Sequence, residues 1–329
     1  MTRQRSSSTP STEHHDPYRE ITDRIIAALE SGTKPWQRPW NPDLAGGPAT
    51  PVNGATGRRY HGMNVLLLAM SSFAFGGDDP RFCTYKQAAD RGWQVKRGER
   101  GTVVIFFKRL QIADRDAPDG AEDRTKRIPL LRTHTVFHAS QIEGIAPYAA
   151  PDLAATPWRR PDAADVILRN SQAVVRIGGE RAFYSPQLDF VQLPPEISFT
   201  SPEHWAATAL HELAHWSGAE SRLHRDLQHR FGSTGYAQEE LRAELASVFI
   251  GAETGLPCDI ENHASYIASW IRKLREDRKE IFRAAADAQR IADYLLAFHP
   301  NYAARSDTGA DPSGETAGAG DTSQTAEAA

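Results

Sequence analysis

The chain has 329 residues, room for two domains and a substantial core. Its 38 Lys and Arg against 42 Asp and Glu leave a net charge of −4, and no run approaches the roughly 18 apolar residues of a membrane span. Cys83 and Cys258 stand too far apart in sequence for a disulfide framework or a thiolate metal cluster, and the polar N-terminus carries no signal-peptide core, so a cytoplasmic protein with reduced thiols and no membrane contact is expected.

In chain order, residues 1–16 are polar and Ser-rich and are expected to be disordered, as is the Gly- and Ala-rich tail 304–329. A first domain is expected over 17–146. It opens with an amphipathic helix in which Ile21, Ile25, Ala28 and Leu29 share a face and Gly32 stops the run. The aromatic segment Lys34 to Trp40 follows, then a Gly-rich loop from Asn53 to Asn64 and an apolar helix from Val65 to Phe75. The β-branched and aromatic runs 102–107 and 133–137 read as strands, with the charged stretch 114–129 an exposed loop between them. A Pro- and Ala-rich stretch, 147–161, reads as a linker to a second domain over 162–303.

The second domain reads as mainly helical. A helix over 163–170 precedes a hairpin over 181–194 that turns at 185–189. Three helices follow: from the Ser201 cap and Pro202 to Gly218, from Ala237 to Thr254 with Gly255 as stop, and from Glu261 to Phe298 with a break near 272–279. The expected class is α+β: an N-terminal α+β module followed by a mainly helical one with a small hairpin.

The chemistry sits on the helix after Ser201. His211 and His215 are four residues apart, so both imidazoles leave one face and suit one metal ion. Glu212 beside them fits the general base that takes a proton from water made acidic by the ion. Imidazole and carboxylate donors in a site with one open position favour Zn2+. Glu240 is read as the third ligand from the next helix; Glu244, one turn on, is either the group that orients a ligand histidine or an alternative ligand. Tyr236, His224 and His263 are the candidate donors to a developing oxyanion. The strand 190–194 reads equally as a core hairpin or as an edge strand that pairs with an extended peptide.

The near-neutral total hides a basic first domain. Between Arg81 and Arg109 eight Lys or Arg stand against Asp90 and Glu99, a net charge of +6. Trp36, Trp40, Tyr60, Phe82, Tyr85, Trp93, Phe106 and Phe107 interleave with these cations, a pattern that suits single-stranded nucleic acid, with bases stacked on rings and cations along phosphates. The candidate contacts are Arg58, Arg59, Tyr60, Lys86, Arg91, Trp93, Lys96, Arg97 and Arg100. The plain alternative is a solvated basic surface, and at least one of Phe106 and Phe107 is expected in the core.

The segments Asn53 to Leu68, Thr84 to Ala88, Lys96 to Thr102 and Val136 to Gly144 resemble the N-terminal domain of ArdC-type antirestriction proteins and the related plasmid primase TraC. Ala182 to Pro186, His211 to Gly218, Ser221 to Leu223 and Tyr236 to Glu244 resemble the zincin-like domain of that family. The resemblance implies single-stranded DNA binding by the first domain, a gluzincin-like zinc metallopeptidase domain second, and carriage on a plasmid or other mobile element. Glu244 departs from the aspartate that many related zincins place after the ligand. The expected function is therefore an antirestriction protein that binds single-stranded DNA and carries a zinc metallopeptidase-type active site, with a host protein as its candidate substrate. The alternative is a non-catalytic DNA-masking protein whose metal is structural.

Overall fold

The computed structural model describes residues 16–32, 34, 36, 50–71, 79–113, 125–149, 160–230, 232–256 and 264–303; within 108–113, 125–130, 160–161 and 264–265 it describes the backbone alone. The expected tails, apart from Asp16, lie outside the described residues, as do most of the 147–161 linker, Trp40, Cys258 and His263.

Helix α1, Pro17–Glu30, is set by the Asp16 carboxylate, which accepts from Tyr18 N–H, with Pro17 at the first helical position. Strand β1 (Val52–Asn53) leads through a Gly-rich turn to helix α2 (Met63–Ala69). Asn64 fixes α2 by imitating a strand: its amide donates to Ile105 O and accepts from Ile105 N–H, both at 2.8 Å. Strand β2 (Arg81–Thr84) runs into helix α3 (Tyr85–Asp90), which Thr84 and Gln87 close with a capping box.

Strands β3 (Gln94–Val95) and β6 (Ile142–Glu143) form a small antiparallel pair beside the main sheet. The long strands β4 (Thr102–Ala113) and β5 (Thr125–His138) are antiparallel from Thr102 opposite Val136 to Ala113 opposite Thr125. The stretch expected as a loop over 114–129 is thus strand from Thr125 onward, because the antiparallel pairing with β4 continues without a break to Ala113 opposite Thr125. The main sheet has the order β1, β2, β5, β4, with β1 and β2 parallel and the rest antiparallel. Gly101 sits where backbones nearly touch, since a Cβ there would lie 2.6 Å from Val136 O.

The C-terminal part begins with helix α4 (Arg160–Ser171), whose first two residues belong to the expected linker. Strand β7 (Val174–Ile177) was not foreseen; it lies parallel to β9 (Phe190–Leu193), which pairs antiparallel with β8 (Phe183–Ser185). The order β7, β9, β8 places the 190–194 strand in the centre, so the edge-strand reading of that segment is corrected and the edges are β7 and β8. Helices α5 (Pro202–Trp216), α6 (Thr234–Thr254), α7 (Ala264–Glu276), α8 (Glu280–Leu296) and α9 (Pro300–Ala303) complete the chain. Ser201 caps α5, Gly255 ends α6 at φ 77°, and the expected break of the last long helix falls between Glu276 and Glu280.

One apolar core spans both halves. Ile21, Ile25 and Leu29 of α1, and Leu66 and Leu67 of α2, pack with Leu210 and Leu213 of α5, Phe249 of α6, Trp270 of α7 and Ile291 of α8. Trp36 stacks obliquely on Trp270 with ring centres 5.9 Å apart. Among the described residues no helix is long and apolar enough to cross a membrane.

Candidate metal centre and nucleic-acid interface

Helices α5 and α6 pack along the buried faces that carry the polar residues. The i, i+4 spacing sets His211 and His215 on one face of α5, their rings 4.9 Å apart and nearly perpendicular. Glu240 of α6 points between them: its two oxygens lie 3.6 Å from His211 Nε2 and 3.6 Å from His215 Nε2. One ligand atom from each of the three residues falls within 4.8 Å of the others. All three are held inside the protein, where carboxylates and imidazoles are costly unless paired or bound to a cation.

The rear nitrogens decide the tautomers. Ser247 Oγ donates to Ala243 O at 2.9 Å and so presents its lone pair to His211 Nδ1 at 3.3 Å. His215 Nδ1 lies 3.3 Å from Glu239 Oε1, and a carboxylate only accepts. Each ring therefore carries its proton on Nδ1 and turns the Nε2 lone pair toward Glu240, which is the arrangement a metal ligand needs.

Without a cation, protons take its part. Burial opposes charge on His215, but Glu240 and Glu239 outweigh it and hold the imidazole pKa well above its ordinary value. Burial likewise opposes charge on Glu240, yet His215 and His211 hold its carboxyl far below the usual carboxylate range. Glu212 is different: burial dominates and raises it, with the two histidines only partly offsetting this. The backbone of Tyr184 in β8 faces Glu212 and partly offsets the effect of burial, so the strand adjoins the general-base candidate. The donor set fits a divalent cation: two aligned imidazole lone pairs, one ionised carboxylate, and a neighbouring carboxyl poised nearer to neutrality.

Glu244 is not placed as expected. Its carboxylate meets Lys34 Nζ at 2.8 Å in a buried ion pair, while the position behind a ligand histidine is taken by Glu239. Glu240 is thus the member of the Glu240/Glu244 pair that joins the histidines. Tyr236 stands beside Glu240, and burial, then the Glu240 charge, push its phenol well above the ordinary range, keeping it a neutral donor. His224 lies in the turn after α5 at φ 50°, its N–H bonded to Ala219 O.

Family comparisons follow this division of the chain. Residues 15–137 match the model of the N-terminal domain of the anti-restriction factor ArdC, and residues 162–287 match that of a zincin-like metallopeptidase. The metal-free crystal structure of the antirestriction protein ArdC from plasmid R388 superposes with a TM-score of 0.72 at 36% identity, covering 88% of this chain and 99% of that one. The chain belongs to the ArdC family of antirestriction proteins. A Mn(II)-bound structure of the R388 protein superposes with a TM-score of 0.71 at 34% identity, covering 88% of this chain and 100% of that one. The DNA primase TraC of Escherichia coli is 44% identical over 85% of this chain, but the chain spans only 27% of the primase. An uncharacterised protein of Sinorhizobium fredii, y4eC, is 39% identical over 90% of this chain and 95% of its own length.

Within the part that matches the ArdC N-terminal domain, the candidate nucleic-acid contacts separate into two groups. Arg58, Lys86, Arg91, Lys96, Arg97 and Arg100 are exposed and Trp93 is half-buried. Lys96 Nζ donates to Ser140 O at 2.8 Å, and Arg91 to Ala55 O. Tyr60 is a correction: its ring is only 1% exposed and packs with Leu68, Phe82, Val104 and Val136, so it offers no face to a base. Trp36 and Phe82 are buried as well. Arg59 pairs with Glu253 at the far end of α6, with Thr50 on the same carboxylate. The aromatic faces open to solvent are Tyr85, 54% exposed, and Phe107, 50% exposed, while Phe106 packs inward as expected.

Sequence reasoning did not find Glu239, Ser247, Tyr184, Arg225 or Lys34. Ser247 had a signal, since it lies seven residues after Glu240 and so on the same helix face. Arg225 and Lys34 had none, because their partners are set by tertiary packing.

Proposed function

We propose that the protein is an antirestriction factor with two modules, about 17–146 and 162–303, that binds single-stranded DNA through the first and hydrolyses peptide bonds of a host protein with the second. His211, His215 and Glu240 would hold the cation, and two imidazoles with a carboxylate favour zinc over manganese, although the R388 relative is known with Mn(II). When bound, the cation supplies Lewis-acid polarisation and acidifies water. Glu212 then takes a proton from the attacking water and delivers it to the leaving amine, a role suited to a carboxyl raised by burial. The neutral Tyr236 phenol, beside Glu240, is the candidate donor to an oxygen that gains charge. The β8 edge, beside Glu212, is where an extended segment has backbone groups to pair with.

The observation that carries this reading is the convergence of three ligand atoms within 4.8 Å beside the buried Glu212. A purely structural zinc site is closed by four protein ligands, whereas three groups meet here among the described residues. The exposed cations Lys96 and Arg97 and the exposed Tyr85 ring support the DNA reading.

Exchange of Glu212 for Ala tests the proposal. Antirestriction in cells is expected to fall while metal analysis still finds the cation bound. Full protection by the Glu212→Ala protein would reject hydrolysis and leave DNA masking as the function.

A further inference from the structure

We propose that Arg225 is a positioning residue of the metal site: seated in the hollow left by Gly218, its guanidinium locks Glu239 behind His215 and thereby aims the His215 Nε2 lone pair at the ligand position. The inference rests on His211, His215 and Glu240 being the ligand set.

The contacts form a chain across three segments. Arg225 Nη2 donates to Glu239 Oε1 at 2.7 Å and Arg225 Nε to Glu239 Oε2 at 3.2 Å, a two-pronged pairing that holds a carboxylate in one plane. The same guanidinium donates to Ala214 O at 2.6 Å and to Ser217 Oγ at 2.9 Å, in the last turn of α5, where free carbonyls favour a cation. Glu239 Oε1 completes the chain at His215 Nδ1. Arg225 thus ties the end of the histidine helix to the start of the carboxylate helix through one planar group.

Two further observations point the same way. A Cβ on Gly218 would stand 2.9 Å from Arg225 Nη2 and 3.0 Å from His215 O, so residue 218 is kept bare where the guanidinium lies. The pairing also keeps Glu239 from the cation: Arg225 neutralises it, which leaves the Glu240 carboxylate and the two imidazoles as the donor set. Glu244, the residue expected to orient a histidine, is neutralised separately by Lys34. The two histidines are therefore backed unequally, His211 by a hydroxyl and His215 by an ion pair.

The test uses the full chain with Arg225→Gln, Arg225→Lys, Glu239→Gln and Gly218→Ala. Zn2+ affinity is measured by competition with a chromophoric chelator, and the visible spectrum of the Co2+-loaded protein reports the ligand field. Arg225→Gln and Glu239→Gln are expected to weaken Zn2+ binding by about 10- to 100-fold and to alter the Co2+ spectrum. Arg225→Lys keeps the charge but loses the fork, and is expected to recover part of the affinity. Should Arg225→Gln fail to fold, Gly218→Ala, which crowds the guanidinium without removing it, is expected to give the same spectral change. Zn2+ affinity within twofold of wild type and an unchanged Co2+ spectrum in the folded variants would overturn the role of Arg225. A wild-type protein that binds neither Zn2+ nor Co2+ would instead overturn the ligand set itself.

Discussion

The two charged regions of this molecule handle charge in opposite ways. Between α5 and α6, three buried carboxylates each have a partner at a fixed distance: Glu240 with two histidines, Glu239 with Arg225, Glu244 with Lys34. In the N-terminal part, Lys86 of α3 and Arg97 and Arg100 of the turn between β3 and β4 stand in solvent. In the first region the low dielectric makes each atom's position decisive, and one substitution is felt in full. In the second, charge acts as a field, each cation contributes a small share, and salt screens it.

That contrast breaks most visibly at the ligands. Glu240→Ala is expected to abolish stoichiometric metal binding while the protein stays folded, as judged by metal analysis after gel filtration. Next come the buried pairs. Lys34→Met alone leaves Glu244 charged in the core and is expected to cost about 3–5 kcal/mol in denaturant unfolding. Lys34→Met combined with Glu244→Gln is expected to restore most of that loss with Zn2+ affinity unchanged; a parallel loss of metal would return Glu244 to the site. Protons compete with the cation for His215, whose pKa is raised. Metal affinity is therefore expected to fall as pH falls and to level off above the raised His215 pKa, and calorimetry in buffers of different ionisation heat should detect a proton released per cation bound.

On the basic face the effects are smaller and graded. Replacing Lys96, Arg97 and Arg100 by Ala is expected to reduce the slope of log affinity against log salt for single-stranded DNA by about 0.7 for each phosphate no longer neutralised, with metal content untouched. Tyr85→Ala is expected to weaken DNA binding by about 1–3 kcal/mol if a base stacks there, whereas Tyr60→Phe leaves it unchanged because that ring lies in the core. DNA affinity that moved with Tyr60→Phe and not with Tyr85→Ala would reverse this assignment.

How far the sequence could be read follows the same physical divide. The helices were legible because caps and stops are local: Gly32, Ser201 and Gly255 act on their own turns. His211, Glu212 and His215 were legible because helical spacing alone puts them together. The division of labour among Glu239, Glu240 and Glu244 was not, since it depends on how α6 is rotated against α5, and neighbouring residues differ there by about 100°. Strand β7 was hidden because its partner β9 is parallel and reached only through a crossover. Tyr60 was misread because a phenol suits a surface and a core equally well, and only its neighbours decide.

Helix α6 carries Glu240 near its start, Glu244 a turn later and Glu253 near its end, and the last two are gripped by Lys34 and Arg59 from the N-terminal part. From Glu240 to Glu253 is about 20 Å along a single rod. Although smaller clusters around Cys83 and Tyr60 lie within the N-terminal part alone, α1 and α2 complete the main apolar core that the C-terminal helices share. Recombination that cut between the two parts would leave two fragments with open seams, so the pair should travel through genomes as one indivisible cassette. The E. coli TraC match has that form, with 85% of this chain aligned inside a primase of which it makes up only 27%.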